Sequence, residues 1–367
     1  MVDLWTAICM QTNRTGITSR KQIKEANLNR CVSLIDYAVR AIGFPKYAPV
    51  KMIVFPEVFM QGWCGDPAPY STIYEKVARD MAIEIPGEET EMLAQKAKQY
   101  NTYIAGTAHE VIPELGATYP FNCGFIISPQ GEVVYKYHKH CPLLSWLGRD
   151  DISPHDVYDK YIKVMDGKYG RKKGDIVSCF FPVIDTEIGK LGYIICNDAH
   201  WPEIPRALGV QGCEVMLRSS GMSEPWGSPP QEKWEIQNRS AALFNMMYVV
   251  GCAPGDLFVP GNPVNAWPGQ SMIVDFHGAL IQHVTYPGET ITGAAINIEM
   301  LRKRRTDPKY NSVSQIRTDV MKEIYNRTIY PKNLFLNRLP KNPVERLEAQ
   351  PIDRFLKEGI WIPPYQP

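Results

Sequence analysis

The stretch GKLGYIICNDAHWPEIPRAL (189–208) holds a change of pattern that sets the fold class. LGYIICN (191–197) is a nearly continuous apolar and β-branched run, as expected of a strand covered on both faces. Residues 202–211 then read as a helix. Between them, at the carboxyl end of the strand, stands Cys196. Loops leave a sheet at that end and open a crevice, so α/β folds present reactive side chains there. A thiol at such a rim becomes nucleophilic as the thiolate, favoured by a nearby cation and by a helix N-terminus.

Further runs of the same kind occur on both sides: LWTAICM (4–10), KMIVFPE (51–57), TYIAGTA (102–108), NCGFIIS (122–128), VVYKYH (133–138), VMLRSS (215–220), YVVGCA (248–253) and QSMIVD (270–275). Helices are expected at 19–42, 88–100, 230–246 and 298–325, and EETE places negative charge at the start of the second of these. Strands and helices intermixed in this order imply a layered α/β domain with buried sheets.

Composition narrows the function. The chain has 367 residues, 44% of them hydrophobic and 22% charged, enough for a large core. Forty Lys and Arg against 39 Asp and Glu leave a formal charge of +1, so no broad basic field exists to grip a nucleic acid. The longest apolar stretches, such as 246–254, are about half of a bilayer span. No secretory pattern follows Met1, and the nine cysteines include no CxxC pair. Reduced thiols in the cytoplasm are therefore expected, with neither a disulfide framework nor a zinc ribbon.

Two other residues share the position of Cys196. Glu57 ends KMIVFPE, and Lys139 follows VVYKYH. A carboxylate could take the thiol proton and return it to a leaving amine. An ammonium beside the reacting carbon could stabilise the developing oxyanion. Lys136 is the alternative lysine, but the period of two turns it to the opposite face from residue 139.

These words resemble the three motifs of the nitrilase superfamily, the carbon–nitrogen hydrolases. KMIVFPEVFMQGW resembles the glutamate segment, and GEVVYKYHKHCP the lysine segment, with Tyr137, His138 and Lys139 filling the tyrosine, basic and lysine places. GKLGYIICNDAHWPEIPRAL resembles the nucleophile elbow, closed by Pro202 and Glu203. WEIQNRSAALFNMMYVVGCA and GQSMIVDFHGALI resemble a later helix–strand pair and hairpin. The likeness covers about residues 4–325. It implies a four-layer α-β-β-α sandwich, catalytic Glu57, Lys139 and Cys196, no metal or organic cofactor, a thioester intermediate, and a homodimer or higher homo-oligomer with no membrane or nucleic-acid partner.

The resemblance also sorts the chemistry. A true nitrilase usually has Trp-Glu after the nucleophile, whereas Asn197 and Asp198 stand here, closer to the amidase and N-carbamoyl amidohydrolase branches. The alternative is a nitrilase, and a non-catalytic member of the fold ranks below it. Carbamoylases typically carry two arginines before Trp-Pro-Glu; here Ala199 and His200 precede it. Arg218 could supply a substitute cation for a substrate carboxylate, or be a surface arginine after its strand. Asn197, His200, Trp201 and Arg218 are the substrate-binding candidates, with Trp201 as wall or core packing. The family's additional pocket glutamate has no clear counterpart among Asp150, Asp151, Asp159 and Asp166. His138, His140 and Cys141 give poor closure for zinc.

The domain is expected to span 1–325, with 141–181 as an insertion that shapes the pocket. Residues 326–367 hold seven prolines in 42 positions together with Tyr330, Leu334, Phe335, Leu336, Phe355, Ile360, Trp361 and Ile362. They read as a Pro-rich C-terminal arm lying across a neighbouring subunit, or else folding back on its own.

Overall fold

The computed structural model describes residues 3–42, 48–62, 73–116, 119–142, 151–221, 232–258, 268–326, 329–341, 345 and 348–364. Its strands, in chain order, are β1 (Leu4–Gln11), β2 (Arg14–Thr15), β3 (Val50–Val54), β4 (Tyr103–Val111), β5 (Pro120–Ile127), β6 (Val133–His138), β7 (Ile184–Thr186), β8 (Gly189–Ile195), β9 (Val215–Ser219), β10 (Tyr248–Cys252), β11 (Leu257–Phe258), β12 (Met272–Val274), β13 (Leu280–His283) and β14 (Thr290–Asn297). The helices are α1 (Asn29–Ile42), α2 (Ile73–Lys76), α3 (Glu88–Tyr100), α4 (Tyr158–Met165), α5 (Ile176–Phe180), α6 (Glu203–Val210), α7 (Lys233–Asn245), α8 (Ile298–Thr306), α9 (Thr318–Tyr325) and α10 (Ile352–Lys357).

Two six-stranded sheets result, in the orders β14-β1-β3-β4-β5-β6 and β13-β12-β10-β9-β8-β7. Each has a parallel centre and antiparallel flanks: β3 lies parallel to β1 and β4, and β9 lies parallel to β8 and β10. Inward-facing Trp5, Val54, Tyr135 and Tyr137 of the first sheet meet Tyr193, Leu217 and Val250 of the second in one buried cluster. The outer face of the first sheet packs on α1 and α3, that of the second on α6 and α7. This is the four-layer α-β-β-α sandwich. Each large side chain so buried stabilises by roughly 1.5–3 kcal/mol. A Cβ on Gly124 would come within 3.0 Å of the Tyr193 ring, so a bare backbone at that point lets the sheets close.

Several boundaries differ from the sequence reading. The glutamate-bearing strand stops at Val54 and Glu57 stands in the following turn, because Pro56 cannot donate to a ladder. Cys196 likewise begins a short 3-10 turn directly after β8. The single helix expected over 298–325 is two, α8 and α9, since Pro308 removes an amide donor and disfavours helix at Asp307. Strand β14 escaped notice: TITGAAIN is dominated by small residues with little strand preference, and its register is supplied by β1.

Within 141–181, expected as an insertion, the part from 151 onward carries α4 and α5. Ile152, Val157, Tyr161, Met165, Cys179 and Phe180 bury themselves against Tyr119 and Phe121 at the end of the first sheet. Part of the C-terminal arm folds back on it. Phe335 is buried, and Leu336 and Leu339 join the same cluster. The Tyr119 hydroxyl donates to the carbonyls of Phe335 and Leu336, and the Phe335 amide donates to the Asp156 carbonyl at 3.0 Å. Farther along, Ile352, Ile360, Trp361 and Ile362 are exposed. No helix among the described residues is long and apolar enough to cross a membrane.

Candidate active site

Glu57 is fully buried where the two sheets face each other at one end. Three groups from three segments fix its carboxylate. Lys139 Nζ lies 2.6 Å from Oε1, Asn122 Nδ2 donates to the same oxygen at 2.8 Å, and the Gly221 amide donates to Oε2 at 2.7 Å. Its backbone is held as well: the amide donates to the Ser220 carbonyl, and the carbonyl accepts from Arg14 Nη1 at 2.7 Å. The next residue, Val58, has φ of 44°, a left-handed conformation that costs a β-branched residue about 1–2 kcal/mol. Thr107 Oγ1 accepts the Val58 amide at 2.6 Å and offsets part of that strain.

Lys139 follows β6, with its amide donating to the Asn122 carbonyl at 3.0 Å and its ammonium buried against Glu57. Asn122 therefore fixes this pair twice, through its carbonyl on Lys139 and its side-chain amide on Glu57. Lys136, the alternative, is engaged elsewhere. It pairs with Glu110 on the outer face of the sheet and lies 4.4 Å from the Tyr169 ring centroid.

Cys196 is half-buried, with φ of 48°. The left-handed conformation turns the chain out of the strand direction at this residue. The carbonyl it leaves outside the ladder accepts from Arg218 Nη2 at 2.9 Å. Two positions on, Asp198 points back into the protein and is fully buried. Its Oδ2 accepts from the Tyr137 hydroxyl at 2.7 Å and the Ile195 amide at 3.0 Å; its Oδ1 accepts from the His140 and Cys141 amides at 3.1 and 2.9 Å. Burial lifts the Asp198 carboxyl to about 6, against the opposing pull of Lys139 and these donors. One carboxylate thus ties the segment that carries Lys139 to the turn that carries Cys196. Asn197 adds a second tie, donating to the Cys141 carbonyl at 3.2 Å.

The structure brings Glu57 and Lys139 into direct contact and sets Cys196 in the same charged neighbourhood, since the buried guanidiniums of Arg14 and Arg218 both feel Glu57 and Cys196. The other candidates are redistributed. Arg218 is no surface residue. Its guanidinium is buried, donates to Asn238 and Gln237 as well as Cys196, and lies 4.3 Å from the Trp234 ring centroid. Trp201 is 44% exposed, which corrects its reading as core packing. His200 stands next to it, and partial burial, reinforced by the charges of Arg218 and Lys233, lowers its pKa. Asp151 is buried, Asp159 and Asp166 lie on the insertion surface, and Asp150 falls outside the described residues.

Sequence reasoning did not single out Asn122, Arg14 or the tethering role of Asp198. Asn122 had a usable signal, a lone amide at an inward register of an otherwise apolar strand. Arg14, in the polar run QTNRTG, had none.

His138 does not join His140 and Cys141. Its Nε2 meets Glu110 Oε2 at 2.8 Å and its Nδ1 meets the Tyr161 hydroxyl at 2.7 Å. Cys123 completes a group of three potential metal donors within 4.8 Å of one another. The ligand set does not fit a cation well, because the Lys136 ammonium neutralises Glu110 and both ring nitrogens of His138 are engaged. Arg171 donates to Tyr161 at 2.9 Å, so this network docks the insertion on β6.

Residues 9–306 match the family described as Carbon-nitrogen hydrolase. The chain belongs to that family. It is 29% identical over 278 residues to a formamidase of Helicobacter acinonychis (strain Sheeba), covering 76% of this chain and 69% of the relative. It is 28% identical over 247 residues to a formamidase of Bacillus thuringiensis (strain Al Hakam), covering 67% of this chain and 62% of that relative, just under two thirds of its length. Its fold is similar to the crystal structure of a carbon–nitrogen hydrolase from Helicobacter pylori G27, with a TM-score of 0.64 at 18% identity over 89% of this chain and 99% of that one. Together the family and these relatives support hydrolysis of an amide carbon–nitrogen bond, and do not favour the nitrilase alternative.

Proposed function

We propose that the chain is an amidase that hydrolyses a small neutral amide, of which formamide is the first to test, through a thioester on Cys196. The observation that carries this reading is the buried Lys139–Glu57 contact of 2.6 Å at the rim that also presents Cys196, in a chain whose relatives are formamidases. Glu57 takes the thiol proton as sulfur attacks the amide carbon. Lys139 stabilises the oxyanion that forms. Collapse of the tetrahedral adduct expels the amine, which leaves as ammonia on receiving the proton from Glu57. Water, deprotonated by Glu57, then attacks the thioester; the acid departs and the sulfur recovers its proton. The balance is one amide and one water to one acid and one ammonia.

The placement of Arg218 favours a neutral amide over an N-carbamoyl amino acid. The side chain that could have gripped a substrate carboxylate bidentately is turned onto the Cys196 carbonyl and α7 instead. Ammonia release measured across formamide, acetamide, N-carbamoyl amino acids and nitriles tests the assignment. Turnover confined to nitriles or to carbamoyl acids would overturn it.

The chain is further read as a cytoplasmic homodimer or higher homo-oligomer. Ile236, Leu243 and Phe244 on α7, Val210 on α6, and Val320, Met321 and Ile324 on α9 are all exposed. A monomer would leave these large apolar groups in water. Tyr325 of α9 donates to Glu203 of α6 at 2.6 Å, which makes the helices neighbours on one side of the molecule.

A further inference from the structure

We propose that Arg14, on the small β2–β11 sheet, and Arg218, on β9, are a pair of positioning residues that grip the backbone carbonyls of Glu57 and Cys196 and set two buried positive charges around the site. The inference rests on Cys196 being the nucleophile, and it adds two residues to that reading.

Both carbonyls occur at left-handed turns, Glu57 immediately before Val58 and Cys196 within its own turn. Both lie past the last ladder residue of their strands, Glu57 in a turn and Cys196 at the start of a 3-10 turn, and each carbonyl takes an arginine N–H. Arg14 reaches Glu57 from β2, and Arg218 reaches Cys196 from β9. Each arginine is itself fixed. The Arg14 backbone amide donates to the Asp256 carbonyl at 2.8 Å, and the adjoining Thr15 exchanges two hydrogen bonds with the Asn27 side chain. Arg218 is held by Trp234, Gln237 and Asn238 of α7.

A carbonyl can be satisfied by a neutral amide or hydroxyl. Burying a guanidinium for that purpose is costly, and burial draws both arginines down to about 10. The cost is explained when charge is part of the role. Arg14 faces Glu57, Cys196 and Cys252; Arg218 faces Cys196, Asp198 and Glu57, with His200 nearby; Lys139 faces Glu57. With Cys196 as a thiol, these groups comprise three cations and two carboxylates. Negative charge that develops on the sulfur as it attacks meets this surplus of cations, which lowers the cost of the attack. The same two grips hold the turns that aim the base and the nucleophile at one another.

Alkylation of Cys196 by iodoacetamide at pH 7.5, mapped by peptide mass spectrometry with Cys196→Ala as blank, reads the sulfur without assuming a substrate. Arg14→Gln and Arg218→Gln keep a neutral donor and lose the charge. Arg14→Lys and Arg218→Lys keep the charge and lose the fork. The Gln variants are expected to react about tenfold more slowly than wild type, the Lys variants within about threefold, and kcat on formamide should fall in the same order while KM stays within about twofold. Folded Gln variants that react at the wild-type rate would overturn the proposal. If a Gln variant does not fold, its Lys partner decides: near-wild-type alkylation supports the charge role, and a tenfold loss in a folded Lys variant contradicts it. Wild-type enzyme alkylated elsewhere than at Cys196 would instead remove the nucleophile assignment on which the inference stands.

Discussion

The Tyr137 hydroxyl donates to Asp198 Oδ2 at 2.7 Å, joining the strand that delivers Lys139 to the turn that delivers Cys196. Because the two segments belong to different sheets, the spacing between base, cation and nucleophile depends on this bridge as much as on the sandwich itself.

Asp198→Asn retains the size but turns an amide N–H₂ towards a nest of donors. We expect a loss of about 2–3 kcal/mol in urea unfolding, the cost of buried donors left without an acceptor, and a fall in kcat of at least about tenfold. The carboxyl titrates at about 6 in the folded protein. Wild-type kcat should therefore decline below that pH as Asp198 gains a proton and can no longer accept all four bonds. The variant should lack this limb. An unchanged acid limb in Asp198→Asn would assign it to another group.

Glu57→Gln deletes the base with shape conserved, and Lys139→Met deletes the cation with length conserved. Each should lower kcat by at least about a hundredfold. Lys139→Met should also destabilise by about 3–5 kcal/mol, since it leaves Glu57 buried without its main counter-charge. Steady-state ammonia assays and urea titrations of the two variants check both effects, and near-native rates in either would remove that residue from the mechanism.

His140 is held neutral. Burial lowers it to about 3, and its Nε2–H donates to the Phe180 carbonyl at 3.1 Å between the Phe180 and Phe181 rings. His138 is lowered to about 4. In the unfolded chain both gain protons near pH 6.5, so their contribution to stability is present above that value and is lost as pH falls towards the folded values. Asp198 works in the opposite sense, its stabilisation being present below about 3.8 and lost as pH rises through 6. With two groups against one, stability should drop on acidification from pH 6.5 to 5. His140→Gln should reduce that slope by up to about 1.4 kcal/mol per pH unit. Equal slopes in wild type and variant would contradict the buried neutral state.

The C-terminal arm separates into two predictions at one boundary. Phe335→Ala should loosen the insertion, costing about 3 kcal/mol or more because the side chain is buried on a backbone segment bonded to Tyr119 and Asp156. A chain ending at residue 341 keeps that anchor and should retain its melting temperature, while light scattering reports a smaller oligomer. Unchanged mass would place assembly on α6, α7 and α9 alone.

Much of this architecture was legible in the sequence, because strands covered on both faces must be continuously apolar and because Glu57, Lys139 and Cys196 interrupt or end such runs. The boundaries were less so: Pro56 ends one strand three residues early and Pro308 divides a helix, effects of single residues inside strong patterns. The supporting contacts were hidden for a different reason. Arg14 and Glu57 are 43 positions apart, as are many equally plausible pairs, and only closure of the sandwich selects that one. Arg218 and Glu110 each place a charge in an apolar strand. That is a legible sign of an internal partner, but not of which partner. The exposure of Trp201 follows from the turn after Cys196, whose direction the composition does not encode.

In the proposed reaction the acyl group passes through Cys196. Acid quench of the wild-type enzyme during turnover of a small amide, followed by peptide mass mapping, detects it. The acyl mass is expected on the peptide bearing Cys196 and absent in Cys196→Ala, which should fold normally and release ammonia several orders of magnitude more slowly than wild type. An acyl mass on any other residue, or ammonia released by Cys196→Ala at close to the wild-type rate, would contradict it.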